Sequence, residues 1–160
     1  MRTIVAALIA VVSLFSQPAR TEDASKVLGV WKVTSYKIHF VQENVTREVY
    51  GSDPKGYYIF TPQGRLMVIL TASGRKPPTN DAEAAALLKT MTSYSARYSA
   101  DAEKVVFTPD VSWNEVYTGK EQIRFYKIDG NKLTITTPEQ QYGNAPDKMA
   151  KGIIEFVREQ

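Results

Sequence analysis

Between Gly56 and Leu70 the chain reads GYYIFTPQGRLMVIL, two apolar runs separated by Thr61-Pro62-Gln63-Gly64. β-Branched, aromatic and aliphatic residues fill both runs, which predicts the two arms of an antiparallel hairpin. Proline presets φ for the turn, and Gly64 supplies the left-handed residue that closes it. Both faces of each arm are apolar. That predicts strands with one covered face and one face turned to an enclosed space.

Alternation with a period of two recurs along the chain. Leu28–Val41 forms a long first strand with Trp31, Val33 and Ser35 on one face and Lys32 and Thr34 on the other. An unbroken strand carries His39 onto the Trp31 face. Thr46–Tyr50 returns as a shorter strand. From Ser93 onward, Tyr94, Ala96 and Tyr98 face one way, with Ser93, Ser95 and Arg97 opposite. Lys104–Thr108 is the next strand, and Pro109 ends it or places it at an edge. Glu121–Ile128 and Lys132–Thr137 pair around Asp129-Gly130-Asn131, a strong turn signal. Gly152–Arg158 closes the series, and Trp113–Lys120 and Pro138–Lys148 are expected loops.

One helix interrupts the strands. Asn80 is its N-cap, with Glu83 completing a capping box, and Ala84, Leu87, Leu88 and Met91 give an apolar stripe. The expected fold class is therefore all-β: a single up-and-down antiparallel β-barrel of about 8–9 strands, with one α-helix inserted at about residues 80–92. Closure removes exposed sheet edges, which favours a barrel over a sandwich.

Composition adds a compartment. Arg2 precedes an apolar run, Ile4–Phe15, broken only by Ser13. The run is shorter than the roughly 20 residues of a membrane span and fits a secretory signal. Residues 1–19 are read as that signal and 20–160 as the barrel domain, secreted or periplasmic, with no integral membrane span in the mature chain. The chain has no cysteine, which excludes disulfides, thiol catalysis and thiolate metal sites. Its 20 basic and 17 acidic residues are interleaved, so no nucleic-acid footprint forms.

Candidate chemistry is sparse. His39 is the sole histidine, without the further nitrogen or sulfur ligands a metal site needs. No acidic calcium loop, serine elbow or phosphate-binding glycine loop appears, so no metal, cofactor or catalytic set is assigned. His39 remains a lone acid/base if it faces the interior. Gln122, Arg124 and Tyr126 share one strand face. Turned inward they anchor a carboxylate; turned outward they are solvated, and a shift of one residue decides. Tyr36, Tyr58, Tyr94, Tyr98, Trp113 and Tyr117 pair apolar rings with polar groups, which suits a cavity for an amphipathic molecule.

Gly29-Val30-Trp31 is similar to the Gly-x-Trp opening of lipocalins and their calycin relatives. Leu28–Tyr36, Asp53–Leu66, Tyr94–Tyr98, Gly119–Phe125 and Leu133–Pro138 together resemble the bacterial and fungal lipocalin-like domain family across nearly all the chain after the leader. Where that family often carries a histidine-containing strand, this chain has Val105-Val-Phe-Thr-Pro-Asp-Val-Ser-Trp-Asn114, so no role for that histidine carries over. The resemblance implies a lipocalin-like barrel with Trp31 in its closed end and Arg158 packed across it as a structural plug. The expected function is binding of a small hydrophobic or amphipathic molecule, with Tyr36, His39, Tyr58, Tyr94, Tyr98, Trp113, Tyr117 and Arg124 as ligand-binding residues. The alternatives are a cyclase or isomerase acting on an enclosed hydrophobic substrate, and an envelope or interaction barrel that takes no ligand.

Overall fold

A computed structural model describes residues 25–143 and 145–159; the expected signal segment lies outside them. The strands are β1 (Gly29–Phe40), β2 (Val45–Glu48), β3 (Lys55–Phe60), β4 (Arg65–Thr71), β5 (Met91–Ala100), β6 (Lys104–Ser112), β7 (Gln122–Asp129), β8 (Lys132–Thr136), β9 (Gln140–Tyr142) and β10 (Ala145–Arg158). Helix α1 (Asp81–Leu88) joins β4 to β5. Neighbours follow the order β1-β3-β4-β5-β6-β7-β8-β10, and β10 pairs back onto β1 to close an 8-stranded antiparallel barrel. Strands β2 and β9 extend it as short flaps, on β1 and β10 respectively. No described helix is long and apolar enough to cross a membrane.

The central hairpin forms as its residues dictate. Tyr58 pairs with Val68 and Phe60 with Leu66, and Gly64 takes φ 76° in the turn, donating to Thr61 O at 3.1 Å. Leu66, Val68 and Leu70 point inward and are buried. Met67 and Ile69 point outward and stay 52% and 48% exposed. The second apolar face thus lines no cavity. It belongs to an outer groove of about 560 Å³ that it shares with Tyr57, Ile59, Leu88 and Val111.

One end of the barrel is packed solid. Trp31, Phe60, Leu66, Ala96, Val105, Leu133, Ile135 and Phe156 are each at most 2% exposed. The Arg158 guanidinium lies 4.0 Å from the Trp31 ring centroid and donates to Leu28 O and Lys26 O at 2.5 and 2.9 Å. The indole N–H donates to Val27 O at 2.7 Å. Gly29 makes this stack possible: a Cβ there would sit 2.8 Å from Arg158 Nη1. Tyr98 also belongs to this end, donating to Thr61 O at 3.0 Å and packing edge-on against Phe60.

Four sequence expectations need correction. The first strand does not run unbroken: Val33 faces Phe156 and Ser35 faces Glu155, so Thr34 is an extra residue in the ladder. A bulge shifts the alternation by one. Trp31 and Val33 point inward before it, and Tyr36, Ile38 and Phe40 after it. His39 is thereby turned to the outer face, where Nδ1 lies 3.0 Å from Thr46 Oγ1. The helix is also shorter than expected, and none of its residues is buried. Asn80 caps it by accepting from Glu83 N at 2.9 Å, but Glu83 accepts from Thr79 N rather than the cap's own N–H. Met91, assigned to the apolar stripe, opens β5 instead. The expected loop Pro138–Lys148 contains β9 and the first residues of β10, because Ala150 and Met149 pair with Gln140 and Gln141. Pro109 sits inside β6, past Phe107, the last residue paired to β7, so its missing N–H breaks no ladder.

The bulge predicts a contrast between two residues the sequence places on one face. Trp31→Ala should lower unfolding stability by roughly 3–5 kcal/mol, as loss of a fully buried aromatic does. His39→Ala should change it by about 0.5 kcal/mol or less. Urea denaturation of both variants measures the difference.

Candidate ligand cavity

Above the plug, the interior opens. An inner chamber of about 80 Å³ is lined by Tyr36, Tyr58, Leu70, Tyr94, Phe107 and Ile154, among others. It shares Tyr36, Tyr117, Gln122, Arg124 and Thr137 with an outer vestibule of about 290 Å³. Those five residues form the neck. Gln140, Gln141 and Tyr142 of β9 wall the vestibule, so the flap missed in the sequence is part of the mouth.

The register of β7 settles the question left open for its polar residues. Gln122, Arg124, Tyr126 and Ile128 alternate inward, while Ile123 and Phe125 are 37% and 45% exposed on the outer face. Val105, opposite Arg124 on β6, is buried in the barrel core. Arg124 lies 5.4 Å from the Phe107 ring centroid. It donates to Ile123 O at 2.7 Å and to Gln122 Oε1 at 3.1 Å. Both partners are neutral. Among the described residues lining the two chambers, Arg124 is the one charged side chain.

The connection between β6 and β7 roofs the inner chamber. Trp113 and Tyr117 stack with centroids 5.2 Å apart and planes 18° from parallel. A short 3₁₀ turn, Glu115–Tyr117, holds that spacing, capped by Asn114, which accepts from Val116 N at 3.2 Å. Trp113 N donates to Ser93 O and Gly119 N to Pro109 O, at 2.9 and 2.8 Å, tying both ends of the connection to the barrel.

Three tyrosines surround the chamber with protonated hydroxyls. Burial raises Tyr36, helped by the neighbouring Tyr58 phenol and opposed by Arg124. Burial likewise raises Tyr58, partly offset by its bond to Tyr94, and raises Tyr94 well above the ordinary value, with Tyr58 adding to the effect. The Tyr58 and Tyr94 hydroxyl oxygens are 3.4 Å apart. The cavity therefore presents hydroxyls, an amide and a cation among aromatic and aliphatic surfaces. No carboxylate or imidazole is among the described lining residues, and no described group of three or more His, Cys, Asp or Glu could hold a metal.

Of the residues singled out from the sequence, Tyr36, Tyr58, Tyr94, Trp113, Tyr117 and Arg124 meet in this cavity. Tyr98 is inside the barrel but in the plug, and His39 is outside. Sequence reasoning did not assign Leu70, Thr92, Phe107, Thr137 or Ile154. Phe107 and Leu70 were within reach of strict alternation from Val105 and Leu66. Thr137, one residue past β8 at the mouth, continues the alternation of Leu133 and Ile135.

A closed antiparallel barrel, plugged at one end by a Trp–Arg stack and open at the other onto an aromatic-lined chamber, is of the lipocalin type. The chain belongs to the lipocalin-like family: the family model described as a lipocalin-like domain matches residues 28–156. No curated protein matches it.

The raised phenols carry a pH signature. Unfolded, Tyr36, Tyr58 and Tyr94 ionise near the ordinary value of 10.0; folded, they keep their protons to higher pH. The folded state then binds more protons above that value, so stability is level below it and falls as pH rises. Each phenol contributes a slope of up to about 1.4 kcal/mol per pH unit. Tyr94→Phe should make the fall shallower. Urea denaturation from about pH 8 to pH 11 measures it.

Proposed function

We propose that this chain is an exported barrel that binds a small hydrophobic or amphipathic molecule in the chamber above the plug. The observation that carries this reading is Arg124, turned inward at the neck of an otherwise uncharged aromatic cavity. Polar groups that are few, convergent and set in an apolar wall orient small ligands. The hydroxyls of Tyr36, Tyr58 and Tyr94 add donors around the same space. Export is supported by the apolar leader. A cyclase or isomerase would need a proton acceptor facing the substrate, and the described lining offers phenols held protonated and a guanidinium. The reading as an interaction barrel has one observation in its favour, the outer groove around Met67, Ile69 and Val111. The open interior at the other face of the same strands favours the binder.

Native mass spectrometry of the protein recovered from the exporting host tests the proposal. The expected result is a mass below the 17.9 kDa of the full chain, with a small molecule retained and released by organic extraction. An uncleaved, empty chain that takes up no added hydrophobic compound would count against both export and binding.

A further inference from the structure

The dimensions and charge of the cavity narrow what it can hold. Arginine carries five N–H donors, and Arg124 makes two hydrogen bonds, both to neutral oxygens. Tyr36 and Tyr117 stand at the same neck; each makes a ring contact, and neither hydroxyl has a hydrogen-bond partner among the described residues. A guanidinium among phenol, amide and threonine side chains, with spare donors and no carboxylate, is placed to receive an anion. One cation balances one negative charge.

Depth sets the second limit. Phe60, Leu66, Leu133 and Phe156 floor the barrel at 2% exposure or less, so nothing longer can extend past the inner chamber. That chamber measures about 80 Å³, below the roughly 150 Å³ apolar cavity that accepts a whole benzene. It has room for a short branched group or the leading part of one ring. The vestibule adds about 290 Å³, which leaves the site at the small end of the roughly 300–1,000 Å³ typical of ligand cavities.

Resting on the binding reading above, we propose that the ligand is a compact monocarboxylate, short and branched or built on a single ring. The leading edge of its apolar group enters the inner chamber, the remainder occupies the neck, and its carboxylate lies on the vestibule side against Arg124 and the hydroxyls of Tyr36 and Tyr117. Long-chain acids are excluded by the floor, and neutral analogues lack the charge that the neck is built to meet.

Isothermal titration with phenylacetate, phenylacetamide and palmitate tests this on the wild-type barrel and on Arg124→Met and Arg124→Lys. Phenylacetate should bind, with the isosteric amide about 10-fold or more weaker, as a charge-assisted contact predicts. Arg124→Met should weaken the acid by a similar factor and the amide by clearly less, while Arg124→Lys falls between. Palmitate should bind no tighter than phenylacetate. Equal binding of acid and amide, or tighter binding of palmitate, overturns this inference and leaves cavity binding standing. A wild-type barrel that ignores all three compounds overturns the inference too, and if it also emerges empty from its host the binding reading falls with it. The comparison of acid, amide and long chain on the wild type stands even if Arg124→Met does not fold.

Discussion

Strands β1 and β10 pair from Trp31–Arg158 to Phe40–Ala150, and the bulge at Thr34 within that pairing decides what the barrel encloses. Before the bulge, the inward side chains are Trp31 and Val33, which fill the space completely. After it they are Tyr36 and Ile38, which line a cavity. Without the extra residue, Lys37 and His39 would point inward and place a charge and an imidazole opposite the chamber wall. A single bulge therefore separates a packed half from an open half, and bulges in barrels commonly re-aim side chains in this way.

Two arginines reach into this barrel and meet different surroundings. Arg158 is stacked on Trp31 and bonded to two backbone carbonyls across the closed end, so its role is to hold that end. Stacking of this kind contributes roughly 0.5–2 kcal/mol. Arg124 has a looser aromatic contact, bonds to two neutral oxygens and stands where two chambers meet. The two arginines make equal numbers of hydrogen bonds, and what separates them is their surroundings: solid packing on Trp31 for Arg158 and open space for Arg124. The tyrosines divide similarly. Tyr98 is spent on the carbonyl of Thr61, whereas Tyr36 keeps its hydroxyl at the neck.

Most of the fold was legible because alternation and turn chemistry agree. Gly64 and Gly130, with φ 76° and 57°, sit in the turns the sequence marked, and Tyr94, Ala96 and Tyr98 share the inner face as their spacing requires. The lipocalin-like resemblance and the family match cover nearly the same stretch. What stayed hidden has physical causes. A bulge leaves no composition signal in Val33-Thr34-Ser35, so His39 was carried to the wrong face. The apolar outer positions Met67 and Ile69 look, in sequence, like a second buried face, although they are exposed beside Leu88. Strand β9 is too short and polar to stand out from the loop around it. The face of Arg124 depended on its pairing with β6, which no local pattern encodes.

The division into plug and cavity can be observed directly, because the chain has 2 tryptophans and the structure places one in each half. In a ¹H–¹⁵N spectrum the two indole N–H signals report separately on Trp31, bonded to Val27 O, and on Trp113 over the chamber. On titration with phenylacetate, the division into plug and cavity requires the Trp113 signal to shift and saturate while the Trp31 signal stays in place. Movement of Trp31, or a Trp113 signal indifferent to the acid, would contradict it.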